Sequence, residues 1–257
     1  MLVLLPPSET KRDGGAGDPV DLASLSWPGQ KRARREVTKL IAALGRKREE
    51  CAKVLGLSAK QLDEVERNRQ VLKSPTMPAI DRYTGVLFDA LGALDLPKPA
   101  RAFLGDHVAI GSAAFGLIRA MDLIPAYRLS FDSRLPGLAA GSLKKTWAPS
   151  GSATLATESG FILDARSEGY ASLAPLSDGS NSNYLRVVTR GEGGVVRALN
   201  HFNKKGKGEF VRALALDGEA VGAIDSVDAL ISWGAKHGWE LAPGAPGEVN
   251  LFVSGVL

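Results

Sequence analysis

The sequence predicts an α+β fold, a mixed α/β protein in which helices surround a mixed central sheet. Short apolar runs stand at residues 2–5, 161–164 and 249–253, and runs of this length are typical of buried strands. Residues 30–69 instead repeat their apolar positions with the period of an amphipathic helix. Predicted strands and helices follow one another without the regular alternation of a doubly wound sheet, which favours a mixed arrangement. We expect one compact domain over residues 1–257.

The composition is that of an ordinary globular protein, with 44% hydrophobic and 23% charged residues. Cys51 is the only cysteine, so no disulfide can form within the chain, and this fits a reducing compartment. The apolar N-terminal run is too short for a signal peptide. No apolar run approaches the length of a membrane span. We therefore expect a cytoplasmic protein with no membrane partner.

Positive charge is concentrated in one segment of the chain. Residues 31–53 hold nine Lys or Arg and three Glu, a local net charge of +6, whereas the whole chain carries +4. Concentrated basic charge is the electrostatic footprint of a polyanionic partner. The alternative is a solvated helix face, which is the commoner meaning of a charge run.

The predicted N-terminal strand is ended by two prolines and followed by Ser8, Glu9 and Lys11. In sheets with helices packed on them, binding sites usually lie at the C-terminal ends of strands. We therefore expect these polar residues to lie near a site. Residues 13–30 are rich in Gly, Pro, Ser and Asp, which predicts a mobile loop.

A helical hairpin is predicted within residues 46–69. Its first helix ends near Val54, Gly56 lies in the connection, and Ser58 with Gln61 forms a capping box that starts the next helix. Two short helices joined by an apolar-Gly-apolar turn resemble a helix-hairpin-helix, in which turn amides hold a nucleic-acid phosphate without reading bases. The alternative is a plain packed hairpin, because any tight helical turn tends to use glycine.

The rest of the chain contains further predicted helices and strands. Predicted helices lie at residues 87–94, 113–121, 143–157 (interrupted at 149–151) and 225–237. Predicted strands lie at residues 108–111, 127–131, 161–164, 185–189, 195–202 and 249–253. Residues 191–194 are typical of a hairpin turn between two of these strands.

A basic joint connects a predicted strand to a predicted helix near residue 203. Lys204, Lys205 and Lys207 stand there among glycines. Small residues allow a partner to approach the backbone, and a helix N-terminus favours an anion. Helical spacing places Lys204, Lys207 and Arg212 on one face. The residues of this joint are therefore suited to bind phosphate. The alternative is a solvated helix start whose lysines keep the surface soluble.

Three segments together resemble the YaaA family of peroxide stress response proteins. They are the N-terminal Leu-Leu-Pro-Pro-Ser-Glu-Thr-Lys, the block from Gly111 to Leu129 with Trp147 after it, and residues 201–208, His-Phe-Asn-Lys-Lys-Gly-Lys-Gly, with Arg212. The second block is similar to the family's Ser-Gly-Leu-Tyr-Gly-x-Leu-Arg-Pro-x-Asp … Pro-Tyr-Arg-Leu pattern. Residues 167–170, Ser-Glu-Gly-Tyr, are similar to its Ser-x-Glu-Tyr element.

The resemblance implies a compact mixed α/β fold with a positively charged cleft, a helix-hairpin-helix element and DNA binding. It also implies a physiological role in lowering free iron and limiting oxidative damage under peroxide. The chain departs from the family pattern at three places: its first lysine follows Thr10, Ala120 replaces a proline, and Lys207 replaces an arginine. The last change removes a planar guanidinium suited to phosphate.

Polar residues at predicted strand ends and at the hairpin form the candidate site. On the binding hypothesis, the partner is double-stranded DNA, contacted through its phosphate backbone, or an anionic small molecule. The residues assigned to nucleic-acid or anion binding are Ser8, Lys11, Gly56, Ser58, Arg119, Arg128, Lys204, Lys205, Lys207 and Arg212.

The alternative is an enzyme, a transferase or hydrolase acting on a nucleotide or nucleobase-like molecule. Its catalytic residues would be Glu9, Lys11 and Glu168. Carboxylates repel phosphate unless they do chemistry, hold a metal or pair with an arginine. Ion pairing of Glu9 and Glu168 with nearby basic residues is therefore the structural alternative to catalysis.

We expect no metal site and no cofactor. The histidines have no Cys or carboxylate at ligand spacing; they are His107, His201 and His237. Phosphate-binding loops and dinucleotide fingerprints are absent from the sequence. Cys51 lies near Arg48 and Lys53, which would lower its pKa and make the thiol peroxide-sensitive; the alternative is a small apolar residue buried in the helical hairpin.

Overall fold

The computed structural model describes residues 1–190, 196–198 and 202–253. Its strands are β1 (Leu2–Leu5), β2 (Gly17–Pro19), β3 (Pro75–Pro78), β4 (Val108–Ser112), β5 (Gly116–Arg119), β6 (Leu123–Ile124), β7 (Ile162–Asp164), β8 (Ser182–Arg190), β9 (Val196–Ala198), β10 (Leu241–Pro243) and β11 (Glu248–Phe252). The predicted turn at residues 191–194 lies outside the described residues, as does part of the predicted strand at 195–202.

Helices surround the strands. They are α1 (Lys31–Leu44), α2 (Arg48–Leu55), α3 (Asp63–Arg69), α4 (Ala79–Arg82), α5 (Val86–Leu91), α6 (Lys98–His107), α7 (Leu143–Leu155), α8 (Glu168–Ala171), α9 (Phe202–Leu216), α10 (Gly218–Gly222) and α11 (Val227–Lys236). Short 3₁₀ turns lie at residues 28–30, 59–61 and 93–95.

The main sheet has the strand order β10-β11-β8-β7-β1-β4-β5, and β9 pairs with β8. The strands β11, β8, β7, β1 and β4 run parallel, whereas β10, β9 and β5 pair antiparallel with their neighbours. The predicted mixed sheet with helices around it is therefore confirmed. The chain passes from β1 to β4 on one side and later returns to β7 on the other, so the order reverses between β1 and β7. Crevices at such a switch point are the usual ligand sites of open sheets.

The position of β1 within the sheet explains why every residue of this strand is apolar. Val3 and Leu5 belong to the larger hydrophobic cluster, whereas Leu2 and Leu4 belong to a second cluster on the other face. A strand buried on both faces has no solvent side that requires polar residues. The apolar run at the N-terminus therefore predicts the centre of the sheet.

Helix α9 packs closely on α5 and β8 because two of its positions are glycine. A Cβ atom on Gly208 would overlap the backbone carbonyl of Leu87 in α5. A Cβ atom on Gly206 would lie 2.9 Å from Val253 and 3.3 Å from Val187. The expectation that these small residues leave room for an external partner is therefore wrong, since the protein's own elements fill the space.

Two predicted elements have a different structure. Residues 113–121 do not form a helix; they turn and continue as β5. Residues 127–131 do not form a strand. In the first segment the buried side chains of Gln30 and Arg34 bind the backbone at Leu117 and so replace helical hydrogen bonds. Tertiary contacts override local periodicity here.

Two further differences concern helices. Helix α7 runs without interruption through Pro149, although the sequence predicts a break at residues 149–151. Helix α6 follows Pro97, where the sequence indicates only a chain break. Proline is compatible with the first turn of a helix, because the amide it lacks has no partner there.

Candidate functional site

The candidate site lies at the edge of the sheet where the parallel strands β1, β4 and β7 end. The segment after β1 carries Ser8, Glu9 and Lys11, and Ser112 closes β4. Asp164 ends β7, and Glu168 follows it at the start of α8. The prediction that the polar residues after β1 lie at the C-terminal edge of a sheet agrees with this arrangement.

Lys11 is buried, and its own loop holds its ammonium group. The Nζ atom donates hydrogen bonds to the carbonyl oxygens of Ser8, at 2.9 Å, and Glu9, at 3.2 Å. It lies 4.1 Å from the centre of the Tyr127 ring and 5.4 Å from that of Tyr83. Burial lowers the pKa of Lys11 to about 7, although the nearby Glu64 carboxylate acts in the opposite direction.

A chain of buried hydroxyl groups lies behind Lys11. Tyr127 Oη lies 2.8 Å from both Ser112 Oγ and Tyr83 Oη. Ser112 Oγ accepts the backbone N–H groups of Ala114 and Phe115, so its own proton is directed to Tyr127. Burial raises the pKa of both tyrosines, and the phenols remain protonated at neutral pH. The two tyrosines were not predicted as site residues, although Tyr127 corresponds to the tyrosine of the family's Pro-Tyr-Arg-Leu pattern, which reads Ala-Tyr-Arg-Leu in this chain.

Glu9 forms an ion pair with Arg128. Arg128 Nη2 lies 2.7 Å from Glu9 Oε2, and Arg128 is the more buried partner, with its side chain 13% exposed against 62% for Glu9. The buried Asn68 fixes this part of the chain. Its Oδ1 accepts from the Arg128 backbone N–H at 2.7 Å and its Nδ2 donates to the Arg128 carbonyl at 2.8 Å. An asparagine therefore takes the place of a neighbouring strand beside residues 127–131.

This ion pair borders a cleft of about 490 Å³ between the helical hairpin and the sheet edge. The lining side chains are mostly polar, and Phe131 is an aromatic exception. The lining residues are Glu9, Lys53, Val54, Leu55, Gly56, Arg128, Ser130, Phe131, Asp132 and Ser133. The cleft thus brings together three of the residues named as candidates from the sequence, Glu9, Gly56 and Arg128. Lys53 was recognised only as part of the basic run.

The hairpin turn has the cap expected of its sequence. Gly56 ends α2 in the left-handed region, with φ +61°, and its N–H donates to the Lys53 carbonyl at 3.3 Å. Gln61 Oε1 accepts both the backbone N–H and the hydroxyl of Ser58, at 3.1 and 3.0 Å. The structure therefore has two short helices joined by a tight turn, and the Gly56 amide already has a partner within the protein.

Glu168 lies farther along the same edge and also pairs with an arginine. Arg186 lies 3.4 Å from Glu168 and 2.7 Å from Glu248. Glu168 is the looser partner, because its side chain is 77% exposed. Arg186 was not predicted as a site residue, because it lies in a long strand without a recognisable motif.

The lysines of the predicted basic joint differ in how deeply they are buried. Lys204 and Lys205 are exposed on α9, and Lys205 lies 3.5 Å from Glu209. Lys207 is 4% exposed, and its Nζ lies 5.3 Å from the centre of the Tyr184 ring. Burial lowers the pKa of Lys207 to about 8, and the charge of Asp164 opposes this shift.

Two predicted anion-binding residues lie away from this edge. Arg212 donates to the carbonyl oxygens of Leu91 and Gly92, where it caps the end of α5. Arg119 pairs across the sheet with Ala109 near the start of β4 and donates to the Asp106 carbonyl. The structure does not bring either one next to the cleft.

The basic run at residues 31–53 is mostly exposed, with one clear exception. Arg34 is fully buried, and its guanidinium donates to the carbonyl oxygens of Leu25, Ser26, Phe115 and Leu117. It therefore stabilises the fold. Cys51 is also fully buried, and burial raises the pKa of its thiol. The structure thus favours the buried apolar role of Cys51 over the peroxide-sensitive one.

The described histidines have partners within the protein. His107 Nδ1 lies 2.9 Å from the Met1 carbonyl, and His237 Nε2 lies 3.0 Å from Asp217. His201 lies outside the described residues. In the described ranges, no three His, Cys, Asp or Glu side chains come together as a metal site would require. None of the described helices has the length and apolar character needed to cross a bilayer.

Comparison with known proteins identifies the family. The model of the family described as peroxide stress protein YaaA matches residues 1–242. The chain belongs to the YaaA family. It is 44% identical over 218 residues to a UPF0246 protein of Corynebacterium glutamicum strain R, covering 84% of this chain and 85% of that protein. A UPF0246 protein of Streptomyces coelicolor is 36% identical over 250 residues, with coverage of 96% and 94%.

Family membership agrees with the three sequence blocks that suggested it. The matched range includes the loop after β1, the block from Gly111 to Leu129 and the basic helix α9. Lys11, the residues that line the cleft, and the carboxylates Glu9 and Glu168 therefore all lie within the matched range.

Proposed function

We propose that this YaaA-family member is a cytoplasmic protein that binds the phosphate backbone of double-stranded DNA in the cleft beside Arg128. One observation carries the proposal: Glu9, one of the two carboxylates that line the cleft, is already paired with Arg128. The other carboxylate is Asp132. Lys53 adds a second cation to the lining. Family membership supplies the context of peroxide stress, in which bound protein limits oxidative damage to DNA and restrains free iron.

The surroundings of the cleft support binding without sequence preference. Exposed Lys and Arg side chains lie on α1, and Lys53 near the end of α2 lines the cleft itself. Contacts of such cations with phosphate carry no sequence information. The helical hairpin contributes one wall of the cleft, and its turn depends on Gly56, which adopts a backbone conformation that other residues rarely take. Its role as a helix-hairpin-helix clamp belongs to the proposal.

A salt titration of duplex binding tests the proposal. We expect unrelated duplexes of equal length to bind with similar affinity, with log K falling by about 0.9 per phosphate neutralised for each tenfold rise in salt. Lys53→Gln is expected to reduce the slope by about one contact. Lys144→Gln, at an exposed position on α7, is the matched control and should leave the slope unchanged. No binding at low salt, or strong preference for one sequence, would count against the proposal.

An enzyme remains the second candidate because of Lys11. An amine with a pKa of about 7 is partly uncharged at neutral pH and is suited to general base catalysis. On this alternative, Glu9, Lys11 and Glu168 would act on a nucleotide or nucleobase-like molecule. A screen for hydrolysis or group transfer with nucleotides tests it, and turnover abolished by Lys11→Met would favour it.

A further inference from the structure

Lys207 is a buried charge without a partner in the described part of the chain. Its side chain is 4% exposed, and among the described residues its ammonium group faces the Tyr184 ring, 5.3 Å from the ring centre, rather than a hydrogen-bond acceptor. Buried lysines are ordinarily paired, since an isolated charge loses its hydration on burial. An anionic ligand would supply the missing partner.

A second cation lies on the same aromatic ring. The guanidinium carbon of Arg186 is 5.1 Å from the centre of the Tyr184 ring, and Lys207 Nζ is 5.3 Å from that centre. Both side chains therefore converge on Tyr184, whose hydroxyl is fixed by a 2.7 Å hydrogen bond to the Arg166 carbonyl. The charge of Arg186 disfavours the charged form of Lys207, and an anion bound by both would relieve this repulsion.

The carboxylates around this pair differ in how firmly they are bound. Asp164 is held by Arg166 through contacts of 2.8 and 2.7 Å, so its charge is already matched. Glu248 binds Arg186 at 2.7 Å. Glu168 is 3.4 Å away and 77% exposed, so it is the carboxylate that an incoming anion would displace.

Asn203 provides an independent sign of a ligand. Its Oδ1 is buried and has no hydrogen-bond partner among the described residues. Asn203 lies one turn before Lys207 in the 15-residue helix α9, so both side chains project from the same face. Rotation of the amide by half a turn would present Nδ2 as a donor at the same place. The positive end of the helix dipole also favours an anion there.

We propose that Lys207, Arg186 and Asn203 bind a phosphate monoester group, and that Glu168 occupies Arg186 until this group displaces it. The site goes beyond the proposed duplex binding. A side chain that is 4% exposed lies too deep to contact the phosphate backbone of a rigid duplex on the protein surface. A monoester dianion offers two charges and several acceptor oxygens, which match two cations and an amide donor. The group would belong either to a free small molecule or to the phosphorylated end of a strand.

Titration calorimetry with the full chain tests the site. The probes are inorganic phosphate and adenosine monophosphate, with adenosine as the uncharged control. We expect saturable binding of both anions and none of adenosine. Lys207→Met should weaken binding about tenfold or more, because it removes a hydrogen bond to a charged group. Glu168→Gln should tighten it, since the competing carboxylate is gone.

Two further variants separate the site from folding and from surface charge. Lys207→Arg keeps the charge and should retain binding, whereas Lys144→Met removes an exposed lysine on α7 and should change nothing. Equal binding by wild type and Lys207→Met, weaker binding by Glu168→Gln, or no saturable binding by wild type would overturn the proposal. Loss of binding in Lys144→Met would indicate general attraction of anions and would overturn it as well.

An oligonucleotide comparison distinguishes the two sources of the group. If the site takes strand ends, a 5′-phosphorylated single strand competes with adenosine monophosphate and its unphosphorylated form does not. If it takes a free small molecule, neither strand competes, and in both cases the site stands. Lys53→Gln, in the cleft, should weaken the binding of an unphosphorylated duplex and leave the binding of adenosine monophosphate unchanged, so failure of this site and failure of the duplex proposal are separate results.

Discussion

The carboxylate of Glu9 and the guanidinium of Arg128 form a 2.7 Å ion pair beside the cleft. The two residues are far apart in the sequence. Glu9 lies in the loop after β1, and Arg128 lies in the segment that the side chain of Asn68 holds by hydrogen bonds. The pair limits the positive charge that Arg128 can offer to a phosphate. Glu9 is the partner free to move, because most of its side chain is in solvent.

Removing the charge of Glu9 should strengthen duplex binding. Glu9→Gln leaves Arg128 with an uncharged neighbour, and we expect affinity to rise by up to about fivefold at low salt. Fluorescence anisotropy with a labelled duplex measures the effect. Glu219→Gln, an exposed position on α10, is the matched control. Weaker binding by Glu9→Gln would contradict the binding hypothesis, and a rate loss of about 10²–10⁴ in any detected reaction would favour the enzyme.

Because of Lys11, the free energy of unfolding should depend on pH in the alkaline range. Its pKa is about 7 in the folded protein against 10.5 for the unperturbed group, so between these values the unfolded chain binds more protons than the folded one. The free energy of unfolding contributed by Lys11 therefore rises with pH across this window and is constant below it, with a slope of up to about 1.4 kcal/mol per pH unit.

Urea denaturation of wild type and Lys11→Met measures this dependence. The difference in unfolding free energy between the two should change from about pH 7 towards pH 10 and stay constant below pH 7. Lys144→Met, which removes an exposed lysine, is the matched control. A flat difference for Lys11→Met would show that the amine keeps an ordinary pKa.

Among the polar residues behind the cleft, Asn68 should be the one whose replacement lowers the stability of the protein most. Asn68→Ala leaves both the N–H and the carbonyl of Arg128 without their partners, and we expect destabilisation of about 2–4 kcal/mol. The loop that lines the cleft should loosen and duplex binding should weaken. Asn181→Ala also removes an amide that donates to a carbonyl, that of Asp225, but at an exposed position. It should cost less than about 0.5 kcal/mol, and equal costs for the two variants would contradict this account.

Gly208 should tolerate no side chain. In Gly208→Ala the new Cβ meets the Leu87 carbonyl and the Ala90 side chain, so α9 must move away from α5 at a cost of about 1–3 kcal/mol. Gly222→Ala is the matched control in α10, because a Cβ atom added there would meet no described atom within 4 Å. Thermal unfolding compares the two, and an unchanged midpoint for Gly208→Ala would disprove the close packing.

The sequence allowed the sheet to be predicted better than the site. Apolar runs identified β1, β4 and β7 because these strands are buried throughout, and burial on both faces leaves a continuous apolar pattern. Strand β11 was also predicted, although only its alternate residues are fully buried. The irregular segment at residues 127–131 was mistaken for a strand, since its alternation is real but its hydrogen-bonding partner is the side chain of Asn68. No local pattern indicates such a partner.

The site was predicted as a set of residues without its pairings. Glu9, Gly56 and Arg128 were expected and do lie on one cleft, because strand ends and turns are recognisable. The separation of buried Lys207 from exposed Lys204 was not foreseen, since helical spacing places them on one face but cannot tell how deeply each lies. Arg186 pairs with residues more than ten positions away in the chain, and one sequence gives no sign of such long-range pairs.

The position of β1 has a consequence for synthesis on the ribosome. This strand leaves the ribosome well before its two neighbours, because it pairs with Val108–Ile110 and Ile162–Asp164, which are made more than a hundred residues later. At a synthesis rate of about 5–20 residues per second, β1 waits on the order of ten seconds for its neighbours. The apolar strand is exposed during that interval, so a nascent chain of this protein is a natural client for chaperones that shield hydrophobic segments.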